Sequence, residues 1–314
     1  MLSVVVATSS NSWFMIWLSL EINLLSFIPL LTSNKNKYTS EAALKYFLIQ
    51  SFASVLIIAS ASLNLSQNLA ILFLAGALFL KLGAAPSHQW LPSMIDGLSW
   101  PMVSLLLTVQ KFTPLILIFF LFKTNHIHMF YIFYMSFSAL IGAIGGLSQS
   151  SLRKIMAYSS IAHLAWMLVS LQSTMYLWGF YFFIYSSMLM MLSSLLYFSG
   201  NYSLTDVISM KKSYFSLILA ISFLSLGGLP PFTGFLPKLV IIQDIFLHDQ
   251  VLLSFPLLTS SFISLFFYMR VILYNLLLSN SQYTFTKQTT TNKLAMLNFN
   301  FFGLLAPSAL LIFL

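Results

Sequence analysis

Four ionisable residues stand inside stretches that are otherwise apolar: Glu21 in WFMIWLSLEINLLSFIPLL, Lys81 in LFLKLGAAPSHQWLP, Lys111 in VSLLLTVQKFTPLILIFFLF and Lys238 in GGLPPFTGFLPK. A lysine at the centre of a membrane-spanning helix costs about 2.5–3.5 kcal/mol on insertion scales, and leucine would avoid that cost. Each lysine adjoins a helix irregularity: Lys81 precedes Gly83 and Pro86, Lys111 precedes Pro114, and Lys238 follows Pro237. Proline has no N–H for the carbonyl four residues back, so Gln110 loses a partner to Pro114, and Leu226, Gly227 and Thr233 lose theirs to Pro230, Pro231 and Pro237. Freed carbonyls make room for water, and water is what a buried ammonium requires. Amines in such places are suited to storing and releasing protons, a role closed to arginine, which stays charged. If Glu21 approaches Lys81, moving the two together or apart switches proton binding at the lysine; the alternative is a static interhelical ion pair. His88 and His163 are relay candidates, since imidazole exchanges protons near neutral pH, although each taken alone reads as a hydrogen-bonded core residue.

The elements that must hold these groups are membrane helices. The chain of 314 residues is 59% hydrophobic and only 6% charged, whereas charged residues make up about a quarter of a soluble domain. Runs near the roughly 20 apolar residues that cross a bilayer predict ten crossings, at 13 to 31, 44 to 64, 67 to 85, 98 to 122, 127 to 147, 152 to 171, 176 to 198, 213 to 245, 252 to 279 and 296 to 314. Residues 2 to 10 are apolar but too short to span, a stub or a shortened eleventh helix. The third and eighth crossings are broken by Gly and Pro; they stand five crossings apart and so run in opposite directions, as paired discontinuous helices of inverted repeats do. The fold class predicted is an all-α polytopic membrane protein with a single domain over 1–314. Its first half covers about 1–122, its second about 127–279, and a last helix covers 296–314.

Positive residues gather in alternate loops. Lys35, Lys37, Lys45, Arg153, Lys154, Lys211, Lys212, Lys287 and Lys293 fall on one side and Lys123 alone on the other, which places the basic side toward the cytoplasm or the matrix. The net charge of +8 is thus a topological signal, and no nucleic-acid partner is expected. With no cysteine the chain cannot hold an iron–sulfur cluster through its own thiolates. No nucleotide fingerprint follows a strand pattern, and His126-x-His128 is a poor metal pair. The N-terminal MLSVVVATSS has neither the basic region of a secretory signal nor the arginines of a transit peptide. Trp13, Trp90, Trp100, Trp166 and Trp178 read as interface anchors. Arg270 reads as structural, and Asp96, Asp206, Asp244 and Asp249 as loop or helix-end residues.

LEINLLSFIPLL (20–31), LKLGAAPSHQWLP (80–92), QKFTPL (110–115), GAIGGLSQSSLRKIMAYSSIAHLAWML (142–168) and FLSLGGLPPFTGFLPK (223–238) together resemble the antiporter-like membrane subunits of respiratory complex I, mitochondrial NADH:ubiquinone oxidoreductase, and among them the chain 2 family. The resemblance implies about eleven transmembrane helices in two inverted five-helix bundles. It implies Glu21 and Lys81 as a coupling pair, Lys111 as the central lysine, Lys238 as the lysine toward the exit or the next subunit, and His88 and His163 on a hydrated axis. The function it implies is proton translocation coupled to NADH oxidation and ubiquinone reduction. This chain would bind no cofactor: NADH, FMN, iron–sulfur clusters and ubiquinone would belong to other subunits. Partners would be complex I membrane subunits, neighbouring antiporter-like subunits among them, and lipids, in the mitochondrial inner membrane with the basic loops facing the matrix. Two features depart from the family: Ser87 and Gln89 replace the usual aromatics beside His88, and the N-terminal stub is short. Two alternatives stay open, a subunit of a multisubunit cation/proton antiporter and a non-pumping scaffold whose buried charges fix helix register.

Overall fold

The computed structural model describes residues 2–10, 12–33, 36–62, 67–122, 128–209 and 214–276. The expected crossing at 296–314 lies outside them, as do Lys35, Lys123, His126, Lys211, Lys212, Lys287 and Lys293. The first half runs through α1 (Leu2–Ser9), α2 (Trp13–Leu31), α3 (Lys37–Ser62), α4 (Gln67–Leu82), α5 (Trp90–Ile95), α6 (Trp100–Leu107) and α7 (Val109–Phe122). The second runs through α8 (His128–Leu147), α9 (Leu152–Ser173), α10 (Met175–Ser199), α11 (Leu204–Ser209), α12 (Tyr214–Gly227), α13 (Phe235–Leu247) and α14 (Val251–Leu276).

Among the described residues seven helices have the length and composition to cross a membrane, with α6 and α7 counted as one span; α4 and α12 are shorter apolar helices. Those two are the crossings marked as interrupted by their glycines and prolines. Each stops at a glycine with left-handed backbone, Gly83 at φ 71° and Gly228 at φ 77°, a conformation that costs glycine little. The chain then resumes as α5 or α13. With α1 counted as a shortened helix, the interruption falls in the fourth of five crossings in each half.

One helix organises the rest. In α9, 89% of the membrane-length window is buried, against 33% to 61% for the other long helices. Between membrane helices, close packing of small residues replaces the hydrophobic drive of soluble cores. At Gly142 of α8 a Cβ would sit 2.6 Å from the Ala162 backbone nitrogen of α9, and at Gly146 one would sit 2.8 Å from the Phe267 ring of α14. The end of the bundle at the α8–α9 turn is tied by the residues that open α9. The Ser151 hydroxyl caps Lys154 N–H and also donates to Asp96, Lys154 pairs with Asp96 at 2.7 Å, and Arg153 donates to the Leu98 carbonyl at 2.7 Å. Arg153 and Lys154 therefore carry contacts between elements. Arg270 is structural, as read: its guanidinium donates to the carbonyls of Leu147 and Gln149, both at 2.6 Å.

The span 98–122 is one crossing, Trp100–Phe122, with a turn at Thr108 between α6 and α7. Pro114 sits inside α7 without ending it. The tryptophans Trp90, Trp100, Trp166 and Trp178 are core residues rather than interface anchors. Two of them satisfy loosened backbone: Trp90 Nε1 donates to the Leu80 carbonyl at 3.1 Å and Trp100 Nε1 to the Asn201 carbonyl at 3.0 Å. Position near a helix end is shared by both roles, so the sequence does not separate them.

Candidate functional site

Lys81, Lys111 and Lys238 are all buried, as are His88 and His163, while Glu21 is half-buried. Lys81 and Lys111 line one cavity with Asn23, Gln50, Gln110 and Tyr46, residues supplied by α2, α3, α4 and α7. The cavity measures about 20 Å³, space for about one water. Its polar wall is a set of neutral side chains. Asn23 Nδ2 donates to Gln110 Oε1 at 2.8 Å, the Tyr46 hydroxyl points at the same oxygen at 3.4 Å, and Gln50 Nε2 donates to the Lys81 carbonyl at 3.3 Å. Asn23, Tyr46, Gln50 and Gln110 were not singled out from the sequence. Lone neutral polar residues in apolar helices are common, and only the meeting of residues 87 apart in the chain reveals the cluster. Asn23→Leu is expected to strand the Gln110 amide at a cost of about 1–3 kcal/mol, read as a lower melting temperature of the purified assembly, while Ser26→Ala on the exposed side of α2 leaves it unchanged.

Glu21 makes no ion pair with Lys81. The ion pairs among the described residues are Glu41–Lys45, Asp96–Lys154 and Asp244–His248. Lys81 faces the cavity instead.

Lys111 turns away from the Gln110 carbonyl. Its Nζ donates instead to the Ser160 carbonyl of α9 at 2.9 Å, where the second lone pair of a helical carbonyl remains available. One turn further along α9, His163 Nδ1 lies 2.8 Å from the Tyr181 hydroxyl of α10. A further turn on, the Trp166 ring lies 5.8 Å from Lys238 Nζ, within the range of a cation–π contact. Lys238 Nζ donates to the Gly227 carbonyl at 2.9 Å, the acceptor freed opposite Pro231. Ser160, His163 and Trp166, spaced i, i+3 and i+6, lie on successive turns of α9, so a single buried helix contacts both the central and the distal lysine. That spacing was visible in SSIAHLAW, and it becomes a signal only once each residue has a lysine or histidine role beside it.

His88 stands apart from this line. Its Nδ1 lies 3.2 Å from the Pro86 carbonyl and its ring packs edge-on to Tyr158 of α9 at 6.3 Å. It does not line the Lys81–Lys111 cavity. Among the described residues no three of His, Cys, Asp and Glu gather as a metal site.

Buried amines on discontinuous helices, strung along one enclosed helix, define a class: a membrane protein of antiporter-like build. The family described as "NADH:quinone oxidoreductase/Mrp antiporter, TM" matches residues 10–63 and 59–264. The chain belongs to that family and, within it, to the NADH-ubiquinone oxidoreductase chain 2 proteins. The relative of that name from Anopheles gambiae is 40% identical over 95% of this chain and 91% of its own length, and that from Locusta migratoria is 34% identical over 94% and 89%. Among solved structures, a chain of respiratory complex I from Thermus thermophilus with bound aureothin superposes with a TM-score of 0.85 at 22% identity, over 98% of this chain and 75% of that one. A chain of the Mrp complex from Dietzia sp. superposes at 0.72 and 17% identity, over 89% and 59%. At those identities the structural likeness establishes the fold.

Proposed function

We propose that this chain is a core subunit of the membrane arm of respiratory complex I, in the mitochondrial inner membrane, and that it moves protons when NADH is oxidised and ubiquinone reduced. The observation that carries the reading is the line of amines: Lys81 and Lys111 on a shared polar cavity, then Lys111 and Lys238 joined to successive turns of α9 through Ser160, His163 and Trp166. A change in charge or position at Glu21 sets whether Lys81 holds its proton. Lys81 exchanges a proton with Lys111 through water in the cavity, and Lys111 passes it along α9 to His163 and Lys238. The redox steps belong to other subunits, which supply NADH, FMN, iron–sulfur and ubiquinone sites; this chain contributes to the enzyme as its proton-handling part. Its partners are other membrane subunits, neighbouring antiporter-like ones among them, together with lipid, and its basic loops face the matrix. The names of the relatives support complex I, and the lack of an ion pair between Glu21 and the cavity-facing Lys81 among the described residues supports movement of charge rather than a fixed register pair.

The shared fold with the Mrp complex makes sodium/proton exchange the competing activity. In proteoliposomes holding the intact complex, proton uptake is expected to require NADH and quinone and to be indifferent to sodium. Proton flux driven by a sodium gradient without redox substrates would favour the competitor.

A further inference from the structure

Tyr181 of α10 has no place in the reading above, yet it is buried, 2% exposed, and its hydroxyl is 2.8 Å from His163 Nδ1. A neutral imidazole carries one N–H and one bare nitrogen, and a hydroxyl can pair with either; the Tyr181 hydroxyl therefore ties Nδ1 and fixes the plane of the ring.

Resting on the proposed proton path, we infer that Tyr181 is a positioning residue for His163: its buried hydroxyl, bonded to Nδ1, holds the imidazole in the orientation that the path along α9 requires. Tyr185 serves as a comparison, because its ring lies 5.1 Å from that of His163 while its hydroxyl makes no hydrogen bond among the described residues.

The test compares Tyr181→Phe, Tyr181→Gln, Tyr185→Phe and His163→Ala in the intact complex, with protons moved per electron normalised to assembled complex. Tyr181→Phe keeps the ring and loses the hydroxyl. It is expected to lower pumping roughly five-fold, the factor one net hydrogen bond carries, and to change the shape of its pH profile. Tyr181→Gln packs worse but keeps a hydrogen-bonding group, so it is expected to assemble less well than Phe and to pump better per complex. Tyr185→Phe is expected to pump as wild type. Adding Tyr181→Phe to His163→Ala is expected to change nothing further. Normal pumping and an unchanged pH profile in Tyr181→Phe would overturn the inference, as would Phe pumping better than Gln or an additional loss in the double variant. Normal pumping in His163→Ala itself would overturn the path beneath it, a different failure.

Discussion

Lys111→Met is expected to abolish the coupled proton pumping that runs through this chain while the complex assembles at wild-type level. The ammonium is 2% exposed in the middle of the molecule, where a charge costs about 2.5–3.5 kcal/mol to insert. Methionine is unbranched and apolar and fills the same channel of space, so the helix loses an expense and no fold-defining contact. The Ser160 carbonyl loses only one acceptor interaction and keeps its place in the α9 helix. What disappears is an amine that both lines the Lys81 cavity and donates to a carbonyl of α9. Lys111→Arg sharpens the prediction. It preserves the positive charge without the ability to release a proton, so it too is expected to stop pumping. Protons moved per electron in proteoliposomes, set against complex abundance on native gels, measure both. A wild-type ratio in Lys111→Met would remove this lysine from the path.

Gly234→Ala is expected to deplete assembled complex several-fold, with little pumping left to measure. A Cβ built at Gly234 would run into the Ser225 carbonyl oxygen, and the obstacle is backbone at the close of α12 rather than a flexible side chain. The bend between α12 and α13 must open to admit the methyl group. Overpacking costs about 1–3 kcal/mol where side chains can yield, and here they cannot. Opening the bend also draws the Gly227 carbonyl away from Lys238. Gly179→Ala, which meets nothing within 4 Å, is the control and is expected to assemble normally. Equal abundance of the two variants would show that the bend is slack.

Much of this architecture was legible in the chain. The span of α2 follows from its apolar run, and both interruptions follow from Gly83 and Pro86 and from the GGLPPFTG segment. Such signals are local: a proline removes a donor wherever it stands, and a buried lysine is costly in any membrane helix. The Gly227 carbonyl freed by Pro231 was foreseeable on the same ground, and Lys238 occupies it. The partners across helices were not legible. Pro114 pointed to the Gln110 carbonyl as the neighbour of Lys111, whereas the amine reaches Ser160 on another helix. Asn23, Gln110 and Tyr181 acquire meaning only through residues far away in the chain. The tryptophans failed for the same reason, since packing against neighbours rather than distance from a helix end decides whether an indole faces lipid or core.

Ordered water in a high-resolution map of the intact complex is the most direct test. The path described here predicts water in the cavity between Lys81 and Lys111, and a hydrogen-bonded chain continuing past Ser160 and His163 toward Lys238 in at least one catalytic state. Dry, closed packing between these amines in every state of turnover would contradict it.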